Sequence, residues 1–285
     1  MATVINFAEK FVPVIDGIYK KASLTSILDA QTQPDFSGVN TVKVMKVTTT
    51  GLGDYSKENG YAKGNATLEW EAMTLKEDRS AQLTVDRMDN EETLGQAFGV
   101  IMNEFIRTNV APEVDAYRLA TYAKAAIAAG NTASGALTTG EEVVKAIRAI
   151  ITGMDEAEVP AEDRVLFITP TLKGLVDDLD TTKSKEVLKR FSSVVEVPQT
   201  RFYTDITMNS GVDSWGYTKA AGAKDINLIG VSKSAVVQAT KMALPKVFDP
   251  NTNQTKDAWL FQYRLYHDAF NYENKVSGIY CHTNA

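Results

Sequence analysis

Cysteine and histidine are almost missing from this chain. Its 285 residues hold one cysteine, Cys281, and two histidines, His267 and His282. No internal disulfide can form, and little is left for zinc-type chemistry. Glycine-rich phosphate loops, a Gly-x-Ser-x-Gly elbow and paired metal-binding cysteines are also absent. No apolar run approaches the ~20 residues a membrane-spanning helix needs. Residues 1–10 lack the basic, apolar and small-residue sequence of a secretion signal. Basic residues are outnumbered, 30 against 36 acidic, for a net charge of -6. No basic domain or tail of the kind that tight nucleic-acid binding requires is visible. What remains is 44% hydrophobic with a mean hydropathy of -0.18. That is an ordinary soluble globular composition, enough for one large domain or two modest ones.

The texture changes along the chain. Residues 1–37 place Phe7, Phe11, Ile15 and Ile18, then Leu24, Ile27 and Leu28, at loose helical spacing, interrupted by Pro13 and closed by Pro34. This is a short broken amphipathic arm, lying either on its own domain or on a neighbour. Residues 38–90 read as β-structure: 41–47 are rich in β-branched residues, Leu68, Trp70 and Ala72 alternate with glutamates, and Ala81, Leu83 and Val85 alternate with polar residues. Between the first two runs lies a polar tip with Gly51, Gly53, Gly60 and Gly64. Such a ribbon has little apolar surface, and a two-stranded hairpin alone is marginal in water. It folds back on its own chain or reaches another subunit.

Residues 91–130 carry the strongest helical pattern, Leu94, Ala97, Phe98, Ile101, Met102, Phe105, Ile106 and Val110, continued by Val114, Tyr117, Tyr122 and Ile127. Asp89 or Asn90 caps it, Gly130 and Asn131 stop it, and Pro112 is expected to kink it. Unbroken, it runs ~50 Å, longer than a small domain is wide; the other reading is two helices broken at Pro112. Residues 131–250 read mainly as a compact α/β unit, with a capping box at Thr139 and Glu142, a buried strand at 165–168, and Thr169 with Pro170 opening a helix. Further strands are expected at 194–197, 201–206 and 226–231. Residues 251–285 are aromatic-rich closing strands.

Candidate chemistry is thin. His267 beside Asp268, with Cys281 and His282 further on, is the one cluster suited to catalysis or metal. Neighbours on a strand face opposite ways, so these residues read as packed strand positions. The acidic runs at 155–158 and 177–180 lack EF-hand spacing and read as solvated helix ends. The sequence singles out no catalytic, cofactor-binding or metal-ligating residue.

The C-terminal stretches WLFQYRLYHDAF (259–270) and ENKVSGIY (273–280) resemble the closing segment of tailed-bacteriophage major capsid proteins. So do INLIGVSKSAV (226–236), KVFDP (246–250) and RVLFITP (164–170). The order of elements is also similar to the α+β Hong Kong 97-like capsid fold, with an N-arm (1–37), an extended β-hairpin E-loop (38–90), the spine helix of the P-domain (91–130) and an A-domain (mainly 131–250). The closing strands of the P- and A-domains (251–285) complete it.

This resemblance implies a non-enzymatic shell protein of a tailed double-stranded DNA phage, forming hexamers and pentamers of an icosahedral head. It implies assembly in the host cytoplasm, with a portal and, since the chain starts at the arm, a separate scaffolding protein. Packaged DNA is contacted only non-specifically, no membrane is involved, and no cofactor is needed. The E-loop is expected over the adjacent subunit and the arm beneath another, which makes Phe7, Phe11, Tyr55, Lys57, Tyr61, Lys63 and Trp70 the candidate contact residues. Pro112 is the candidate hinge, and the tip glycines let the loop adapt. Some family members join subunits by a Lys–Asn isopeptide, which Lys57 or Lys63 with Asn271 or Asn274 would imitate. The alternatives are an encapsulin-type compartment shell and a cytosolic enzyme built on residues 138–250 with His267 or Cys281.

Overall fold

The structure, a computed structural model, describes residues 22–29, 36–37, 40–58, 60–88, 97–179 and 186–285. Its centre is a five-stranded sheet. The strands are β5 (Thr132–Ser134), β13 (Ile279–Thr283), β10 (Ile226–Ser232), β6 (Arg164–Ile168) and β7 (Ser193–Glu196), in that spatial order. Strand β6 is buried at every position. A strand covered on both faces reads as a continuous apolar run, as Val165 to Ile168 does.

Helices supply the two covers. Helix α3 (Gly140–Glu156) starts at a full capping box, in which the Thr139 hydroxyl accepts from Glu142 N–H and the Glu142 carboxylate accepts from Thr139 N–H. Its face of Val143, Ile147, Ile150 and Ile151 packs on Leu166, Ile168 and Leu228, joined by Leu172 and Val176 of α4 (Pro170–Asp177). The opposite face, with Val165, Phe167, Ile229 and Val231, meets Leu119, Tyr122 and Ala123.

Those last residues belong to a single helical rod. Helix α1 (Ala97–Phe105) runs into a π-helical turn (Ile106–Val110) and on into α2 (Ala111–Ala128). The side chains of residues 97–98 are not described, and the expected caps at 89–90 lie outside the described residues. Pro112 therefore does not break the helix into two. It has no N–H for the carbonyl four residues back, and the wider π-turn immediately before it accommodates that missing bond. Gly130 at φ +77° ends the rod. The rod serves two cores: α2 covers the five-stranded sheet, while Met102, Ile106, Val110 and Val114 pack on Phe261, Tyr263 and Leu265.

These three aromatic and aliphatic residues lie in the second sheet, β11 (Val236–Phe248), β12 (Ala258–Asn271) and β4 (Glu77–Asp86), all antiparallel. The third sheet is β1 (Phe36–Ser37), β2 (Thr41–Thr49) and β3 (Ala66–Thr74). The 38–90 stretch is thus divided: β2 and β3 make the projecting hairpin, whereas β4 pairs with β12 in the body. The region 201–206 is not one strand; a 3-10 turn (Gln199–Arg201) precedes β8 (Ile206–Met208), which pairs with β9 (Tyr217–Lys219).

Candidate intersubunit surfaces

The β2–β3 hairpin has two chemically different faces. Register sets Met45 opposite Trp70 and Val47 opposite Leu68, so these four share one face. All four are more than half exposed, Trp70 at 61%. Val42, Val44, Met73 and Glu71 lie on the other face. There Val42 and Met73 are buried, with Leu75, against Ala239, Tyr266, Phe270 and Tyr272. The root of the hairpin is therefore seated on its own chain, which a purely unsupported ribbon is not. Tyr266 Oη donates to the Leu75 carbonyl at 3.0 Å, and Lys46 Nζ meets Glu273 at 2.8 Å.

Beyond the root, nothing described covers the outer face. The tip carries Tyr55 and Tyr61, 63% and 87% exposed, whose rings meet edge to face 5.2 Å apart. Ser56 and Gly60 close the turn by paired backbone bonds, with Gly60 at φ +75°. Lys57 and Lys63 are exposed beside them. Of the contact candidates, Tyr55, Lys57, Tyr61, Lys63 and Trp70 thus fall on one projecting element, while Phe7 and Phe11 lie outside the described residues.

The described part of the arm is fastened inward. Leu24, Ile27 and Leu28 pack on the core beside α2, and Ser23 and Thr25 bind Asp115, a fully buried carboxylate of that helix. Arg201 Nη1 approaches the same carboxylate at 3.2 Å, and buried Arg118 reaches Thr25 Oγ1 at 3.1 Å. Sequence reading missed this network, because Asp115 and Arg118 look like ordinary surface charges of a helix until their distant partners are known.

The residues of the suspected chemical cluster are all buried. His267 is buried with its ring edge-on to Tyr117, 5.6 Å between centroids. Burial, then the Arg118 and Arg79 charges, push its imidazole down to about 3. Asp268 is buried too and accepts from Tyr117 Oη at 2.8 Å and Lys76 N at 2.9 Å; burial raises its carboxyl. Burial pushes the Cys281 thiol up to about 12, far from a nucleophile's range. His282 Nδ1 lies 3.2 Å from Asn227 Nδ2. Among the described residues no group of His, Cys, Asp and Glu could hold a metal ion, and no helix is long and apolar enough to cross a membrane.

The acidic run at 155–158 is not simply solvated. Asp155 binds both Arg164 at 2.6 Å and Arg190 at 2.7 Å, which holds its carboxyl below the usual range.

No protein-family model and no curated protein sequence matches the chain. Solved structures do. A capsid structure of the Cyanophage P-SCSP1u matches with TM-score 0.62 and 14% identity over 90% of this chain and 87% of that one. The mature capsid of bacteriophage PhiM1 matches with TM-score 0.61 and 11% identity, over 87% and 82%. A virus-like particle from Pyrococcus furiosus matches with TM-score 0.60 and 10% identity, over 97% and 99%. The chain has the mixed helix-and-sheet fold of these capsid and virus-like-particle structures.

Proposed function

We propose that this chain is the major capsid protein of a tailed double-stranded DNA phage. The observation that carries the reading is the hairpin: a projecting element with Met45, Val47, Leu68 and Trp70 exposed together on one face. A cluster of large apolar side chains on an arm that leaves the body is unstable in water unless something covers it. A fold matched by phage capsid structures supports a second copy as that cover.

In this reading copies assemble into hexamers and pentamers of an icosahedral head enclosing the genome, inside the host cytoplasm. The hairpin is the E-loop, the helical rod the spine of the P-domain, and the five-stranded sheet with its helices the A-domain. Tyr55, Lys57, Tyr61, Lys63 and Trp70 meet the neighbouring subunit, with Phe7 and Phe11 of the arm adding to the lattice. Contacts of this head-to-tail kind close into rings, and many weak ones together stabilise a shell. The π-turn before Pro112 is the place where the rod changes curvature as the particle changes shape. A scaffolding protein and a portal are the remaining partners. In this reading the role is structural and non-enzymatic, with His267 and Cys281 as buried packing residues.

A second reading is an encapsulin-type compartment shell enclosing protein cargo; the nearly end-to-end match to a virus-like particle supports a shell without specifying its contents. Electron microscopy of the purified protein tests both. Closed shells are expected, filled with DNA under the first reading and with protein under the second. A monodisperse species with a radius of gyration near the ~19 Å of a compact chain overturns both.

A further inference from the structure

Strands β3 and β4 each leave one edge unpaired. Strand β3 pairs with β2 alone. Leu75 N–H bonds Asn40 O and Thr50 N–H bonds Asn65 O, so the odd-numbered residues of β3 point their backbone groups at β2. The backbone groups of Ala66, Leu68, Trp70 and Ala72 therefore point outward, and these residues also carry the exposed apolar face. Strand β4 pairs with β12 alone. Arg87 N–H bonds Asp257 O, which by the same alternation turns the backbone groups of Asp78, Ser80, Gln82 and Thr84 outward. Among the described residues nothing pairs with either edge. No proline or bulge blunts them, whereas the free edge of β11 carries Pro245.

The edge of β4 is bordered by a hollow on each face, with Trp215 lining both. On the outer face, a recess of about 530 Å³ opens between Ser80, Met242, Leu244 and Trp215; Trp215 is 72% and Leu244 47% exposed. On the helix face, a cleft of about 450 Å³ lies between β4, the π-turn and the 209–216 loop, and its charged lining is Arg79, Arg201 and Glu113. A free edge with a pocket on each face is what strand addition uses: main-chain bonds hold the added strand, and alternate side chains enter alternate pockets.

We propose that β3 of one copy adds antiparallel to β4 of a second copy, with Trp70 opposite Ser80. Ser80, Arg264 and Leu244 form one cross-strand row, so this register puts Trp70 at the recess. Leu68 then lies opposite Gln82 on the same face, beside the row of Gln82, Gln262 and Lys246. The intervening residues turn to the cleft, Glu71 opposite Arg79, whose guanidinium is already shared with Glu113, and Glu69 opposite Ala81, so that no like charges stand directly opposite. Pairing of two β3 strands is disfavoured by the same rule, because an antiparallel pair centred on Trp70 sets Glu69 against Glu71. The contact joins different patches, so the first copy keeps a free β4 and the second a free β3 to pass on.

The inference rests on the shell reading and adds the register to it. Glu69 and Ala81 form a non-hydrogen-bonded pair in this register, where side chains come closest. The variant Glu69→Cys with Ala81→Cys, assembled and then oxidised, is expected to run as disulfide-linked multimers on a non-reducing denaturing gel. Either cysteine alone is expected to run as monomer. Native Cys281 is buried and does not compete. Amide exchange on the unmutated protein gives a second readout: Leu68, Trp70, Ala72, Ser80 and Gln82 amides should slow about tenfold or more on assembly. Particles visible by microscopy whose double-cysteine chains stay monomeric, or whose amides exchange as fast as in the free chain, overturn the pairing alone. A chain that never assembles overturns both the pairing and the shell reading.

Discussion

Thr25 gives both its backbone N–H and its hydroxyl to one carboxylate oxygen of Asp115, at 3.1 and 2.7 Å. The second oxygen takes the Leu24 N–H at 2.9 Å and Arg201 at 3.2 Å. One buried side chain of the rod thus satisfies donors from two distant parts of the chain. Asp115→Ala leaves those donors unpaired and Arg201 without its counter-charge, and should cost about 3–5 kcal/mol. A denaturant-midpoint series reads it, and limited proteolysis should show the chain opening near residues 23–28. A loss under about 1 kcal/mol would mean that the network is solvated and contributes little.

Trp70→Lys should behave in the opposite way. The indole is 61% exposed in its own subunit, so the isolated chain is expected to keep its stability to about 0.5 kcal/mol. Particle yield, counted by microscopy or sedimentation, should collapse. Normal particles from this variant would remove the hairpin face from the interface.

Acid should destabilise the fold through His267. Its folded-state value is depressed to about 3 against an ordinary value of 6.5. The stabilising contribution is therefore complete above pH 6.5 and is lost as the pH falls towards 3, by about 1.4 kcal/mol per unit. Asp268 and Glu77 act with the opposite sign, since burial raises both and their protonation on acidification relieves the folded state. His267→Leu isolates the imidazole: its stability, measured by thermal melts from pH 7 to 4, should fall less steeply than that of the unmutated chain. Parallel curves would show that His267 protonates at no cost.

Gly230→Ala should be costly although alanine is the milder residue on any propensity scale. A Cβ there would sit 2.7 Å from Ile150 Cγ2 and 3.0 Å from Met154 Cε, where α3 lies directly on β10. Overpacking of this kind typically costs about 1–3 kcal/mol, readable as a lowered Tm. An unchanged Tm would mean that α3 shifts freely on the sheet.

Much of this was legible in residue order because it depends on local period. The alternation in 66–72, the capping box at Thr139 and Glu142, and the apolar stripe of the rod each specify an element without help from the rest. What depended on distant partners was not. Nothing in the alternating residues 77–86 says that they pair with 258–267, 180 positions away, and so the hairpin looked longer than it is. Pro112 signalled a disturbed helix correctly in kind, but whether a rod breaks or takes up a π-turn is decided by what packs on it. Asp115 and Arg118 were invisible for the same reason: a buried ion looks like any surface charge until its counter-groups are known.

Arg79 offers the last consequence. Its guanidinium binds Glu113 of α2 at 2.6 Å and the carbonyls of Asn209 and Gly216 at 2.7 and 3.2 Å. A strand, a rod and a loop are riveted at one planar fork. A lysine in its place would offer a single ammonium, unable to span acceptors spread across three directions. The three pieces would then be free to drift apart, and a pull on the strand would no longer be felt by the loop that bears Trp215.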